Sequence, residues 1–568
     1  MPVNHASEIQ LWYQPRTIKK RASKFNQFLF NHKADLLALV FILVFLISGI
    51  VTLDQYGLTW DEGYGNLFFG ERYFNFWISF NKNLMNFEDP TQVISHPLNL
   101  FLSPERNYPW DFPPFADTLS SACMYLFAYG LNWLGPVDAF HLFKVIFAAI
   151  FLWVLYRFVS KRLGTRVALF TIFFLGTFPR FWGDMHFNPK DIPETILYGL
   201  TILAYWSWFE KPTYKKSIVT GIIFGATLAT KFNAVFLPIT VILGFCPIGF
   251  SIPKVKEIFH HIKENWLHYL SMILSAVVFF ILCWPYLYVQ NSPFRAILNY
   301  FQLNLASGSG HPTTWNWEIP FLVIGTMPET MLIFLLLGLI FMWVQRKKQQ
   351  SLSGQVLLVW LLLPILRTMP PGMTNFDGIR HFLEFLPAAA IIAAYGASAL
   401  LTILQEKWPK WNKVASSILL VCLVANLAEI YIRYNPFQYI YYNQIVGGFA
   451  GARNIFGNDN TSDYWATSYR RGITWLNDHA AQNSTVYVPL AGWTIDIAGP
   501  LWIRPDLHIL PYTADAEKVL ATKNLYIMFI TREAFYNDVT SACENLTPIY
   551  QIKLEGLPLL EICLINSE

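Results

Sequence analysis

Two adjacent carboxylates, Asp61 and Glu62, stand in the segment Tyr56-Gly57-Leu58-Thr59-Trp60-Asp61-Glu62-Gly63-Tyr64, just past the first long apolar run. A carboxylate held at a membrane boundary can take the proton of a hydroxyl or amine that attacks an electrophile. The alternative for Asp61 is the N-cap of a helix beginning near Gly63. A second polar cluster, Pro179 to Glu194, holds the acids Asp184, Asp191 and Glu194 and the bases Arg180, His186 and Lys190. Pro193 suits a first helical turn, so Asp191 is also a candidate cap. Histidine and carboxylates together can hold a divalent metal, but this spacing matches no strong metal motif. Four further groups, Lys144, Lys231, Arg380 and His381, belong to or border apolar runs. Cations so placed are suited to gripping a lipid-linked phosphate at headgroup depth. A lone lysine at a span end also simply snorkels to the headgroups, the other reading of Lys231.

Membrane spans must position these residues. Of 568 residues, 54% are hydrophobic and only 14% charged, against about 25% charged in a soluble protein. Apolar runs of roughly 20 residues, the length that crosses a bilayer, start near Ala34, Val137, Arg166, Pro193, Lys216, Phe232, His268, Pro320, Ser353, Phe382 and Val414. About eleven spans are expected. Basic loops mark the cytoplasmic side: Lys19 to Lys24, Lys161 to Arg166, Lys211 to Lys216, Lys254 to Lys263, Arg346 to Lys348 and Lys407 to Lys413. All fall on one side only if the stretch Ala116 to Leu134, which contains Asp117, Ser120, Ser121 and Asn132, does not cross. It is therefore expected as a helix in the outer interface.

The fold class expected is mainly α: a polytopic helical membrane protein with outer interface helices and a small C-terminal α/β domain. Residues 1–33 form a cytoplasmic tail. Residues 34–433 form the membrane domain, with 54–136 as first outer loop, and 434–568 an extracytoplasmic domain. In that last part Ser484–Leu490, Asn524–Thr531 and Tyr550–Ile552 have strand character and Ser468–His479 helical character. Cys543 and Cys563 lie there and can pair in an oxidising compartment. Cys123, Cys246, Cys283 and Cys422 fall in apolar segments and suit small core residues. The absence of a CxxC pair argues against zinc. A net charge of +4 without a basic stripe argues against nucleic acid as main partner.

The motifs resemble a known family. Asp61-Glu62 after the first span is similar to the acidic motif of C-type (GT-C fold) glycosyltransferases, closest to family 39, which includes protein O-mannosyltransferases and the lipid A aminoarabinose transferase. Tyr108-Pro109-Trp110-Asp111-Phe112-Pro113-Pro114-Phe115 resembles that family's His-Pro-Pro segment, with Phe112 where the family has His. Ser160 to Gly164, Phe178-Pro179 with the acids after it, Thr230-Lys231-Phe232 and Asp377 to Phe382 are similar to further family motifs. The resemblance implies an inverting transfer of a sugar from a polyprenyl-phosphate donor to a protein, lipid or envelope-glycan acceptor, without a required cofactor or metal. In its terms Asp61 is the general base, Glu62 and Asp184 orient the acceptor or nearby cations, and Lys231, Arg380 and Lys144 hold the donor phosphate. Lys190, Asp191, Glu194 and His381 join them as binding candidates. A bacterial plasma membrane is the expected location. The alternative is a transporter of lipid-linked sugars, which would show internal repeats and charges at mid-membrane depth.

Overall fold

Hydrocarbon leaves a peptide backbone no hydrogen-bond partner but itself, so apolar runs in a membrane fold as helices. The computed structural model describes residues 33–86, 113–246, 260–289, 293–306, 313–345, 352–373, 375–544 and 546–565, and has a helix at each of the eleven expected positions. Five are long and apolar enough to cross a membrane: Lys33–Val51, Pro136–Leu163, Trp266–Cys283, Arg380–Lys407 and Lys413–Tyr434. Glu318–Thr326 and Glu329–Gln345, bent by 115°, make a sixth if taken as one span. Thr165–Gly176, Phe232–Phe245 and Ser353–Leu366 are apolar but shorter, and at about 1.5 Å per residue they do not traverse about 30 Å alone. The expected count of eleven is thus supported only roughly. The basic residues of Lys19 to Lys24, Lys254, Lys256, Arg346 to Lys348 and the segment Tyr108 to Phe112 lie outside the described residues.

Burial sorts the long helices. The apolar windows of Pro136–Leu163 and Arg380–Lys407 are 56% and 61% buried, whereas those of Trp266–Cys283 and Lys413–Tyr434 are 6% and 11% buried. The first two form the middle of the bundle and the last two its lipid-facing rim. Arg162 pairs with Glu210 and Arg166 with Thr402, which gathers basic turns at one end. Exposed Trp266, Trp343, Trp408 and Trp411 lie at that end, and exposed Trp133, Trp315 and Trp317 at the other, the two girdles expected of a membrane protein.

The stretch expected to lie in the outer interface is a short helix, Phe115–Met124, continued by a π-helical turn, Tyr125–Gly130. Its polar residues Asp117, Ser120 and Ser121 are buried, while Leu119, Leu126 and Leu131 are exposed. The polar face is therefore turned towards the protein, and Asp117 accepts from Lys190 at 2.6 Å and Asn66 at 3.0 Å.

After Tyr434 the chain builds a five-stranded sheet from β1 (Thr485–Tyr487), β2 (His508–Ile509), β3 (Leu525–Ile530), β4 (Tyr550–Leu554) and β5 (Leu557–Ile565), in the order β2-β1-β3-β5-β4. β1 is parallel to β2 and β3, and β5 is antiparallel to β3 and β4. Glu555 and Gly556, with φ of 48° and 83°, join β4 to β5, the double positive φ that a tight two-residue hairpin requires. The amphipathic helix Tyr469–His479 buries Tyr469, Ile473 and Leu476, and a disulfide joins Cys543 to Cys563 in β5. Of the four remaining cysteines, Cys422 is exposed on the rim, not in a core as its apolar segment suggested.

Candidate active site

The chain leaves the first helix, turns at Leu53–Gln55, extends to Thr59, and re-enters a helix at Trp60. Thr59 Oγ1 accepts from the Glu62 N–H at 3.3 Å. The Glu62 carboxylate accepts in return from the Thr59 N–H at 3.1 Å and hydroxyl at 2.9 Å. This is a capping box, which satisfies two otherwise unpaired donors of the helix start. Asp61 makes no side-chain cap bond, so Thr59, not Asp61, is the cap. Glu62 is wholly buried, with Lys144 Nζ 2.8 Å from Oε1 and His141 Nε2 2.9 Å from Oε2. Burial raises its pKa, but the His141 and Lys144 charges outweigh that and hold it at about 2. Lys144 is therefore committed to Glu62 rather than turned to an open surface.

Asp61, one residue before Glu62 on the helix, projects elsewhere. Arg380 Nη1 donates to its Oδ2 at 2.9 Å, and Arg380 Nε lies 3.4 Å from Asp377 Oδ2. The Arg380 guanidinium lies 4.5 Å from the centre of the Trp465 ring and 5.1 Å from that of Phe376. Asp61 is 38% exposed, against 8% for Arg380 and 2% for Asp377, so it is the carboxylate of the group that solvent reaches. Asp377 and Gly378 both have positive φ, 58° and 74°, and a Cβ on Gly378 would run into the Arg180 guanidinium. Asp377 also accepts from Arg532 at 2.8 Å. Burial raises the Asp377 carboxyl to about 6 against the pull of both arginines.

Asp184 ends the short helix Pro179–Asp184 and is buried, and its Oδ1 lacks a hydrogen-bond partner. Burial, then the charge of Asp191, raises it to about 8, with Arg180 and Arg380 opposing. It carries a proton at neutral pH. Lys231 pairs with Asp191 Oδ1, and Asn188 Nδ2 donates to the other oxygen at 2.9 Å. Asn188 Oδ1 accepts from the Asp191 N–H at 2.8 Å, so Asn188 makes the side-chain bond to the helix start that was a candidate role for Asp191.

The remaining candidates divide by depth. Lys190 donates to Asp117 and to the Pro113 carbonyl at 2.5 Å, bracing the interface helix. Glu194 lies deeper, 1% exposed, and interacts with Glu384, which accepts from Arg367 at 2.7 Å and Asn233 at 3.2 Å. The His381 ring is buried edge-on to Phe376, 4.4 Å between centres. His186 bonds Thr52 Oγ1 and the Trp182 carbonyl and stacks on Tyr56. Burial lowers it to about 4, so it is a neutral core histidine. Among the described residues no three His, Cys, Asp or Glu side chains are grouped to hold a metal.

The C-terminal residues close the site. Trp60 N–H donates to the Trp465 carbonyl at 2.9 Å and Gly57 N–H to that of Thr467 at 3.1 Å. Trp493 Nε1 donates to the Trp60 carbonyl at 3.2 Å, and Arg470 pairs with Asp138 at 2.5 Å. Sequence reasoning missed Arg532, Trp465, His141, Glu384 and the role of Asp377. The Thr59-x-x-Glu62 spacing was the one legible signal among these contacts. A large cavity, about 690 Å³, lies away from these groups among Tyr205, Phe209, Phe224, Phe245 and Tyr269. Among the described residues no carboxylate, lysine or arginine lines it.

Residues 111–288, about a third of the chain, match the family model described as dolichyl-phosphate-mannose-protein mannosyltransferase. The fold is that of a polytopic, mainly helical membrane protein, and its residues 111–288 are similar to that family. Among curated proteins none matches the chain by sequence. Among solved structures it is similar to ArnT from Cupriavidus metallidurans bound to undecaprenyl phosphate, at 13% identity and a TM-score of 0.49, over 94% of this chain and 98% of that one. It is also similar to the oligosaccharyltransferase AglB from Archaeoglobus fulgidus, at 12% identity, TM-score 0.44, over 93% and 74% of the two chains. The mycobacterial arabinofuranosyltransferase AftD gives 12% identity and a TM-score of 0.39, over 93% and 40%. What this chain does has to be read from its own site.

Proposed function

We propose that this protein moves a sugar from a polyprenyl-phosphate donor to an acceptor hydroxyl or amine at the outer membrane face, with inversion and with Asp61 as general base. The observation that carries this reading is the exposed Asp61 carboxylate held by Arg380 while the acids around it are buried or bonded. The acceptor heteroatom bonds the anomeric carbon as the bond from that carbon to the phosphate oxygen breaks. Asp61 takes the acceptor's proton, and polyprenyl phosphate leaves with the electron pair. Arg380 and Lys231 offset its negative charge, and Asp191 holds Lys231 in place. Asp184, buried beside Asp191 and Arg180, orients the neighbouring cations. Glu62, Lys144 and Lys190 keep the loop and the interface helix in position. A plasma membrane with the site outward suits the basic turns at the far end of the bundle.

Purified full-length protein incubated with polyprenyl-phosphate sugars and envelope fractions tests the reading, with mass spectrometry to show which donor is consumed and what gains the sugar. Asp61→Asn is expected to lower transfer by orders of magnitude; full activity in that variant overturns the mechanism. Movement of labelled lipid across vesicles without covalent transfer would indicate the transporter instead.

A further inference from the structure

An aromatic shelf runs along the seam between the first outer loop and the C-terminal residues, beside Asp61. The Trp60 ring meets Trp493 and Phe535 edge-on, each at 5.2 Å between centres. Tyr64 and Tyr512 extend it around Trp493, at 6.0 Å and 5.7 Å. Arg532, itself 8% exposed, backs the Trp60 and Phe535 rings at 5.1 Å and 4.7 Å while its other side holds Asp377. Phe535 is 46% exposed. The approach is close: a Cβ on Gly63 would lie 2.9 Å from Trp493 Cδ1. The shelf thus starts at the residue next to Asp61 in the chain, while Asp61 itself bonds Arg380.

We infer that this shelf is the acceptor subsite, and that it takes a sugar ring rather than a peptide; the inference rests on the transferase reading above. A pyranose has a C–H face that packs on aromatic rings and a rim of hydroxyl donors. The shelf offers ring faces and, at its rim, the acceptor-only carboxylates of Asp61 and Glu533, the latter 64% exposed. A peptide added by main-chain pairing needs free N–H and C=O groups, and the N–H groups at Trp60, Phe535 and Tyr536 are committed. Trp60 N–H and carbonyl bond Trp465 and Trp493, Phe535 N–H bonds the Arg532 carbonyl, and Tyr536 N–H bonds that of Glu533. With the acceptor ring stacked on Phe535 and Trp60, the proposal puts its attacking hydroxyl at the solvent-exposed Asp61 carboxylate.

Full-length protein is titrated with soluble pyranose oligosaccharides and with Ser/Thr peptides while its tryptophan fluorescence is followed, and transfer kinetics are measured for Phe535→Ala and Phe535→Tyr. Saturable change with sugars alone is expected. Phe535→Ala raises the acceptor KM roughly three- to tenfold, the range of one aromatic stacking contact, with kcat and donor KM unchanged, and Phe535→Tyr restores it. An unchanged acceptor KM, a raised donor KM, or saturation by peptides alone overturns the assignment. If sugars bind but no polyprenyl-phosphate donor is consumed, the transferase reading falls while the sugar shelf stands.

Discussion

Arg380 Nη1 donates to Asp61 Oδ2 at 2.9 Å, although Asp61 follows the first of the long apolar helices and Arg380 opens the second-last. Asp377 on its other side and the Trp465 ring over its plane leave the guanidinium little freedom. The position of the proposed base is therefore set by a residue far away in the chain.

Replacing Asp61 by Asn separates chemistry from folding. Asp61 is partly exposed and buried Arg380 keeps Asp377 as a partner when Asp61 is neutralised, so the thermal midpoint should move little. Transfer should fall by about 10²- to 10⁴-fold, the usual contribution of a general base. Steady-state kinetics beside a melting curve on one preparation settle the matter.

Glu62 predicts the opposite pattern. Lys144→Met leaves a wholly buried carboxylate without one partner, and breaking such a pair costs about 3–5 kcal/mol. The variant should melt early and accumulate poorly, while protein that remains folded still turns over donor. A normal melting curve with lost activity would return Lys144 to phosphate binding.

Asp184 sets a pH dependence. Its folded pKa, about 8, lies above the ordinary 3.8, so the folded state binds the extra proton. That stability is complete below pH 3.8 and is lost as pH rises through about 8. Asp377, raised to about 6, acts in the same direction. Asp184→Asn should flatten the decline of the melting midpoint across this window. A wild-type and variant difference that stays constant with pH would exclude Asp184 as the cause.

Orientation is tested by reporter fusions. A fusion at Gly164, in the basic turn, should report cytoplasm, and one at Asn188, beside Asp191, should report the outside. The two reporting the same compartment would undo the one-sided assignment of the polar cluster.

Helices were legible because the bilayer fixes their length and composition, and a helix stands at all eleven expected starts. Their number as spans was not, because Thr165–Gly176 and its like are cut short by turns that hydropathy alone does not mark. The strands β1, β3 and β4 were also anticipated. β5 was hidden by Pro558, which the sheet accommodates at a register irregularity opposite Lys553. At the site, Asp61, Asp184, Lys231 and Arg380 drew notice as charged residues at span ends. Arg532 did not, since its bond to Asp377 joins residues with no sequence relation between them.

The packing of Trp465, Trp493 and Arg532 onto Trp60 and Asp377 has a consequence for synthesis. A ribosome releases the first outer loop early and the residues around Arg532 near the end. Until that later segment has folded onto the loop, Trp60 lacks Trp493 and Phe535, and Asp377 its second arginine. Nascent chains halted midway carry Asp61 without the residues that surround it in the folded protein.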